Sequence, residues 1–388
     1  MKTDGAGVPL FFWKKVPLFT QVRPWILVSA CFLFFACESV RPQTNPENRY
    51  SHARNARDAT RVQNHIRLGG WITYWDFDPG MKSLQQRPGA LKEVFFFAAH
   101  LDPDGMPILA DPSRDYDAAV KQVDAQKGRA WLTVVNDLTQ PGTTPAILKD
   151  SEILHAIFHD PDRRKTHRAR LVDLAIRYGF SGVDIDYENL MAGDRDAFSA
   201  FIQEMASDLR EKRLSLSVTV QPKVGESHSD GPGAMDWGKL CQSVDRLQIM
   251  LYNLHSAKTG PGPIATPAWI RSVLAFAQEE CPAKRIVPVL KVAGMRWGDQ
   301  KTEGVQYDQA ILLAKKYRSE IMRDPNGDVP YLRYRAEEKE YTVYYEDRLS
   351  VEKKIETIRD LGIRSVLFWS LGRHDPELLT GLESLLPR

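Results

Sequence analysis

Tyr178-Gly-Phe-Ser-Gly-Val-Asp-Ile-Asp-Tyr-Glu-Asn189 places three acidic residues, Asp184, Asp186 and Glu188, at alternate positions behind the end of an amphipathic helical pattern. Alternate residues of an extended strand share one face, roughly 7 Å apart per step. A strand that follows a crossover helix belongs to a buried parallel sheet, so the face carrying the acids is an interior one. Gathering three carboxylates there is costly, because desolvation and mutual repulsion both disfavour ionisation, and the acids must share protons and hydrogen bonds. The same cost pushes a carboxyl group toward the protonation behaviour that a general acid needs. A divalent-cation site and an exposed edge strand are the competing readings of the alternation, and the helix before Gly179 argues against the edge strand.

Working outward from this strand, short apolar runs recur at Leu68 to Trp75, Val94 to Ala99, Ala130 to Val135, Leu214 to Val220, Leu247 to Tyr252, Ile286 to Val292 and Val366 to Trp369. With Gly182 to Ile185 they make eight candidate strands. Helical patterns separate them: Phe198, Phe201, Ile202, Met205 and Leu209 form one apolar stripe behind Asp194, a candidate N-cap. Thr266-Pro267 opens a second helix, and Ser350 a third that Gly362 closes. Eight strands alternating with helices predict an α/β fold, a (β/α)₈ TIM barrel. An open doubly wound sheet is the alternative, but no glycine-rich phosphate loop follows the first run. The stretch from about 297 to 347 is too long for a single crossover helix. Two alternating segments, Val329 to Arg335 and Tyr341 to Tyr345, flank a charged turn there, which predicts a hairpin in a small α+β insertion between strands 7 and 8. That insertion either borders the active-site face or decorates the surface away from it.

The chain has 388 residues with 52 Lys and Arg against 50 Asp and Glu, so its net charge of +2 gives no electrostatic case for a nucleic-acid partner. Lys14, Lys15 and Arg23 precede an apolar run from Trp25 to Ala36 that is short for a membrane span and suits an export signal. It ends in Phe34-Phe35-Ala36-Cys37, which resembles a bacterial lipobox with Phe34 where Leu is usual. Residues 1–37 are therefore expected to be a lipoprotein signal with lipid on Cys37, residues 38–66 a polar tether, and residues 67–388 the catalytic barrel. Ordinary secretion and a retained anchor are the alternatives. Cys241 and Cys281 are the cysteines of the folded body, without metal-type spacing, and two buried thiols are favoured over a disulfide.

The acidic strand resembles glycoside hydrolase family 18, the chitinase and N-acetylglucosaminidase family, whose signature is D-G-x-D-x-D-x-E on the fourth barrel strand. Gly182, Asp184, Asp186 and Glu188 match in register, Ser181 replaces the first acid, and Tyr187 stands where an aromatic is common. Leu247-Gln-Ile-Met-Leu-Tyr-Asn253 is similar to the family's sixth strand, M-x-Y-D, with Asn253 in place of the acid; Val366-Leu-Phe-Trp-Ser-Leu-Gly372 resembles its eighth. Leu214 to Lys223 and Tyr345-Glu-Asp347 resemble the branch of spore-cortex-lytic and germination-type glucosaminidases.

This resemblance implies a retaining, substrate-assisted hydrolysis of β-1,4-linked N-acetylglucosamine polymers. In it the substrate's 2-acetamido oxygen attacks the anomeric carbon, Glu188 protonates the leaving oxygen, Asp186 holds the acetamido N–H, Asp184 pairs with Asp186, and Tyr252 positions the acetamido oxygen. Trp369 would floor the sugar subsite, with Met250, Asn253, Trp71 and Tyr74 as further candidates for substrate contact, Trp71 and Tyr74 reading equally as core. Neither metal nor organic cofactor is implied. The expected partner is a glycan in the form of chitin, peptidoglycan or an N-glycan core, met by a monomer at the bacterial envelope. A catalytically dead lectin and an anchored scaffold are the rival functions; an intact Glu188 argues against the lectin, and the acidic and aromatic cleft residues against the scaffold.

Overall fold

The computed structural model describes residues 65–139, 147–298 and 301–382. The signal of residues 1–37, the lipidation site Cys37 and tether residues 38–64 lie outside them. The tether as read from the sequence runs too far: Ile66, its last residue, is fully buried in the core.

Eight parallel strands form a closed barrel: β1 (Arg67–Thr73), β2 (Leu91–Leu101), β3 (Arg129–Leu138), β4 (Gly182–Asp186), β5 (Ser215–Val220), β6 (Arg246–Met250), β7 (Ile286–Lys291) and β8 (Ser365–Trp369). Neighbours in sequence pair in space, and β1 closes the circle by pairing with both β2 and β8. The apolar runs are continuous because each strand is covered on both faces. Val183, Ile185, Val218, Ile249 and Phe368 point outward under the helices, whereas Trp71, Phe95, Phe97, Trp131, Val289 and Leu367 fill the lumen. Gly182 is where β4 admits no side chain, since a Cβ there would come within 2.5 Å of the Ser215 carbonyl oxygen and 2.6 Å of the Trp131 ring. The glycine lets β4 lie close to that indole at the bottom of the lumen, below the acids.

The stripe Phe198, Phe201, Ile202, Met205 and Leu209 is fully buried along the helix Arg195–Glu211, and Thr266 caps Pro267–Glu280 by accepting from Trp269 N–H. Two expected caps are corrected. Asp194 makes no side-chain cap, because its carboxylate is drawn instead to two histidines of a neighbouring helix. The helix Arg348–Asp360, which precedes β8, is capped by Asp347, with Ser350 three residues inside returning a bond to the cap in a capping box.

Cys241 and Cys281 are disulfide-bonded, Cα to Cα 5.8 Å, which corrects the expectation of two thiols. Cys241 sits on the helix Trp237–Ser243 and Cys281 caps the next helix, so the bond ties two neighbouring crossovers. Closing a loop of that length removes chain entropy worth roughly 4 kcal/mol from the unfolded state.

The insertion is a five-stranded antiparallel sheet with the helix Tyr307–Tyr317. It begins at Gly294, ahead of the Trp297 read from the sequence. Its central hairpin pairs Leu332 with Val343 and Tyr334 with Tyr341. The rings of Tyr317, Tyr334 and Tyr341 stack in succession, with centroids 4.2 and 5.0 Å apart, which fixes the helix to the sheet.

Candidate active site

Asp184 and Asp186 lie on β4 and Glu188 just beyond its C-terminal end, on the rim where barrel sites form. Asp184 is fully buried and held by three hydroxyls: Thr133 donates to Oδ2 at 3.0 Å, Ser217 to Oδ1 at 2.9 Å, and Thr219 lies 3.2 Å from Oδ1. The hydroxyls come from β3 and β5, whose register with β4 sets Thr133 and Ser217 opposite Asp184 on either side. Burial raises the Asp184 carboxyl to about 6, even though those hydrogen bonds favour the ionised form.

Asp186 is also buried, and its Oδ1 has no hydrogen-bond partner among the described residues. Burial, and then the charges of Glu188, Asp184 and Asp137, hold it well above the usual carboxylate range, with Lys149 pulling the other way. Its Oδ1 is left open to a ligand.

Glu188 is oriented from both ends. The Asn136 side chain accepts from Glu188 N–H at 2.9 Å and donates to the Glu188 carbonyl at 2.9 Å, so one carboxamide clamps the whole peptide. The Lys149 ammonium lies 2.8 Å from Glu188 Oε1 and 4.0 Å from Asp137 Oδ1. Burial works against the Lys149 charge, but the carboxylates of Asp186, Glu188 and Asp137 outweigh it and raise its proton affinity. Sequence reasoning missed Asn136 and Lys149. Position at the C-terminal end of β3 could have flagged Asn136; Lys149 carries no such signal, because only the fold returns its loop to the rim.

Tyr252 continues the inward alternation of Gln248 and Met250 past the end of β6. Burial first, then the charges of Asp186, Glu188 and Asp184, push its hydroxyl well above the usual range, which sets the phenol within electrostatic reach of all three acids. Met250 is buried beneath it. Asn253 is exposed with a left-handed backbone, φ 69°, and among the described residues no hydrogen bond joins it to the acids. Ser181 forms backbone bonds at the opposite end of β4, so its departure from the family signature leaves the acids untouched.

Trp369 packs edge-on against Trp71 and Phe97, with centroids 5.9 and 5.1 Å away. Trp71 is core, 1% exposed, and its indole N–H donates to Thr133 Oγ1, which in turn donates to Asp184. It supports the acid rather than lining the cleft. Tyr74 is partly buried, whereas Trp75 is 52% exposed beside Phe97. A cleft of about 380 Å³ runs from Trp75 and Trp369 to Gly304, Val305, Gln306 and Gln309 of the insertion, with Lys291 and Arg373 also in its wall. The insertion therefore lines one cleft with Trp369, against the alternative of a remote surface decoration. No hydrogen bond or ion pair engages the Lys291 ammonium among the described residues, and burial lowers its proton affinity.

A family model described as glycosyl hydrolases family 18 matches residues 148–374. A cortical fragment-lytic enzyme of Bacillus subtilis (strain 168) is 27% identical over 263 residues, covering 63% of this chain and 61% of that protein. The chain thus spans about three fifths of that relative's length. Among solved structures, a chitinase from Chromobacterium violaceum ATCC 12472 has a TM-score of 0.73 at 23% identity, covering 83% of this chain and 100% of that one. The spore cortex-lytic enzyme SleL of Bacillus cereus has a TM-score of 0.72 at 20% identity, covering 83% of this chain and 75% of that one. These two likenesses establish a shared fold.

Proposed function

The chain belongs to glycosyl hydrolase family 18, and from that premise we propose that it cleaves β-1,4-linked N-acetylglucosamine polymers with retention, using the substrate's own acetamido group as nucleophile. The observation that carries the proposal is the Asp186 carboxyl, buried beside Glu188 with Oδ1 unpaired. A buried acceptor without a donor is costly, and an acetamido N–H would satisfy it. Glu188, on the rim and 22% exposed, can reach the glycosidic oxygen. In the first step Glu188 gives its proton to that oxygen as the C1–O bond breaks, and the acetamido oxygen closes on C1. Asp186 carries negative charge toward the positive oxazolinium, while the Asp184 carboxylate takes up its proton. Water then adds to C1 as the C1–O bond to the acetamido oxygen breaks, and Glu188 takes a proton from that water. Most retaining glycosidases use a second carboxylate across the bond, and substrate-assisted families do not.

Within this substrate class, peptidoglycan or its fragments fit better than chitin. Lys291 places an amine without a carboxylate partner among the described residues in the cleft wall beside Trp369, whereas Arg373 in the same wall is paired with Asp308. Chitin offers no anion, whereas peptidoglycan carries carboxylates on its peptide stems and on lactyl groups that bear no stem. The likeness to a cortical fragment-lytic enzyme points the same way. Incubation with purified peptidoglycan is expected to release soluble fragments ending in reducing N-acetylglucosamine, read by mass spectrometry, and to outpace chitin oligomers at equal sugar concentration. Cleavage of neither polymer defeats the proposal.

The proposal extends to location. An apolar run closing on Cys37 suits a lipid anchor, and a disulfide in the barrel suits an oxidising compartment outside the cytosol. The mature protein should enter the detergent phase on partition, and Cys37→Ser should send it to the aqueous phase. A wild type that stays aqueous removes the anchor.

A further inference from the structure

His155 and His159 stand one turn apart on the helix Ser151–His159, and both reach Asp194, which belongs to the segment leading away from Glu188. His155 Nδ1 lies 2.9 and 3.1 Å from the two Asp194 oxygens, and His159 Nε2 lies 2.9 Å from Oδ1. The ligand atoms of all three residues lie within 4.8 Å of one another. Both imidazoles are about half exposed, 47% and 52%, while the carboxylate is 2% exposed. Asp194 has the sequence position of an N-cap and does not act as one, so its orientation toward the histidines displaces a favourable local bond.

From this arrangement we infer that His155, His159 and Asp194 form a divalent transition-metal site, of the zinc class, outside the catalytic cleft. Two imidazole nitrogens and one carboxylate oxygen are the ligand types zinc takes, and three protein ligands leave a fourth position for water. Bonds of about 2.0–2.1 Å in a tetrahedron set ligand atoms about 3.3 Å apart. The imidazole–carboxylate separations of 2.9 to 3.1 Å lie near that spacing, and side-chain rotations would bring the two imidazole nitrogens, within 4.8 Å of each other, to it. A carboxylate with two lone-pair imidazoles offers the ion one compensating charge, and the exposed histidine edges leave an entry path.

The ion would tie together the two segments that carry the Lys149–Glu188 pair. Lys149 precedes the histidine helix, whose N-cap is Asp150, and Glu188 precedes Asp194. Asn136 already joins them by donating to the carbonyls of both Asp150 and Glu188. The metal is thus a second clamp on the same rim loops, placed farther from the substrate.

The test uses the full chain stripped with chelator, then given zinc alone or cobalt(II) alone. One equivalent of zinc should bind by calorimetry. At about a hundredfold excess over Kd the midpoint of thermal unfolding should rise by roughly 3–8 °C. Cobalt should show the intense visible bands of a four-coordinate site. His155→Ala and His159→Gln, both at half-exposed positions, should lose the zinc-dependent rise and the cobalt bands whatever they do to the metal-free midpoint. A wild type without zinc binding, or with zinc binding that both variants retain, overturns the site and returns the trio to a hydrogen-bonded link between helix and loop.

Discussion

Replacing Glu188 with glutamine is expected to lower turnover of N-acetylglucosamine oligomers by about 10²–10⁴-fold, the usual worth of a positioned general acid, with little change in KM. Glutamine keeps the length and the planar head of glutamate but holds no transferable proton. The clamp from Asn136 acts on the backbone of residue 188, so it survives the substitution and keeps the segment in place. The Lys149 ammonium loses a charged partner at 2.8 Å yet keeps the Asp186 and Asp137 carboxylates nearby. The glutamine side-chain oxygen can still accept from that ammonium, so the substitution removes a charge while leaving a hydrogen bond within reach. The thermal midpoint should therefore move by no more than a few degrees while kcat collapses. Steady-state kinetics and a thermal scan on the same preparation check both halves, and a kcat within threefold of wild type would remove Glu188 from the acid role.

Much of this site is legible in the sequence because its parts are local. Alternation along one strand displays Asp184, Asp186 and Glu188 together, and a parallel strand buried on both faces announces itself by an unbroken apolar run, as in Val94 to Ala99. The parts that escape are those made by the return of distant loops. Lys149 lies twelve residues beyond Asp137, and its backbone N–H bonds the Asp137 side chain at 3.0 Å, which is what carries the ammonium back to Glu188. Nothing in Ile147-Leu-Lys149 separates that lysine from one in solvent. Asp194 shows the opposite failure, since its local signal is genuine and a tertiary partner overrides it: two imidazoles from another helix outcompete two backbone N–H groups of its own. The Cys241–Cys281 bond likewise depends on the packing of neighbouring crossover helices, which cysteine count and spacing do not encode. Around Ser350 both residues of a capping box are present, and choosing the inner one shifts the helix start from Asp347.

Removing the acetamido group from the substrate is expected to abolish cleavage more completely than any single substitution in the protein. An internal nucleophile held against C1 stands in for a very high concentration of an external one, with effective molarities on the order of 10⁵–10⁸ M, so a 2-hydroxy analogue should react at least about 10⁵-fold more slowly. The reason lies in where the other carboxylates sit. Asp184 is sealed under Thr133, Ser217 and Thr219 and cannot approach a sugar. Asp137 is engaged by the backbone and ammonium of Lys149. Asp186 comes two residues before Glu188 on the same strand face, and so approaches the bond from the acid's side rather than from across the ring. Its buried, partnerless Oδ1 is suited to accept from the acetamido N–H, and Asp186→Asn should also slow the reaction, because a neutral amide cannot balance the oxazolinium charge. A thiazoline mimic of that intermediate should bind the wild type more tightly than substrate, and Asp186→Asn less tightly than the wild type does. The decisive comparison is matched N-acetyl and 2-hydroxy oligosaccharides with the wild type, together with azide added to Asp186→Asn. Comparable rates on the two sugars, or a glycosyl azide released by the variant, would mean that a side chain attacks C1, and the barrel would then have to supply a nucleophile from outside this acidic strand.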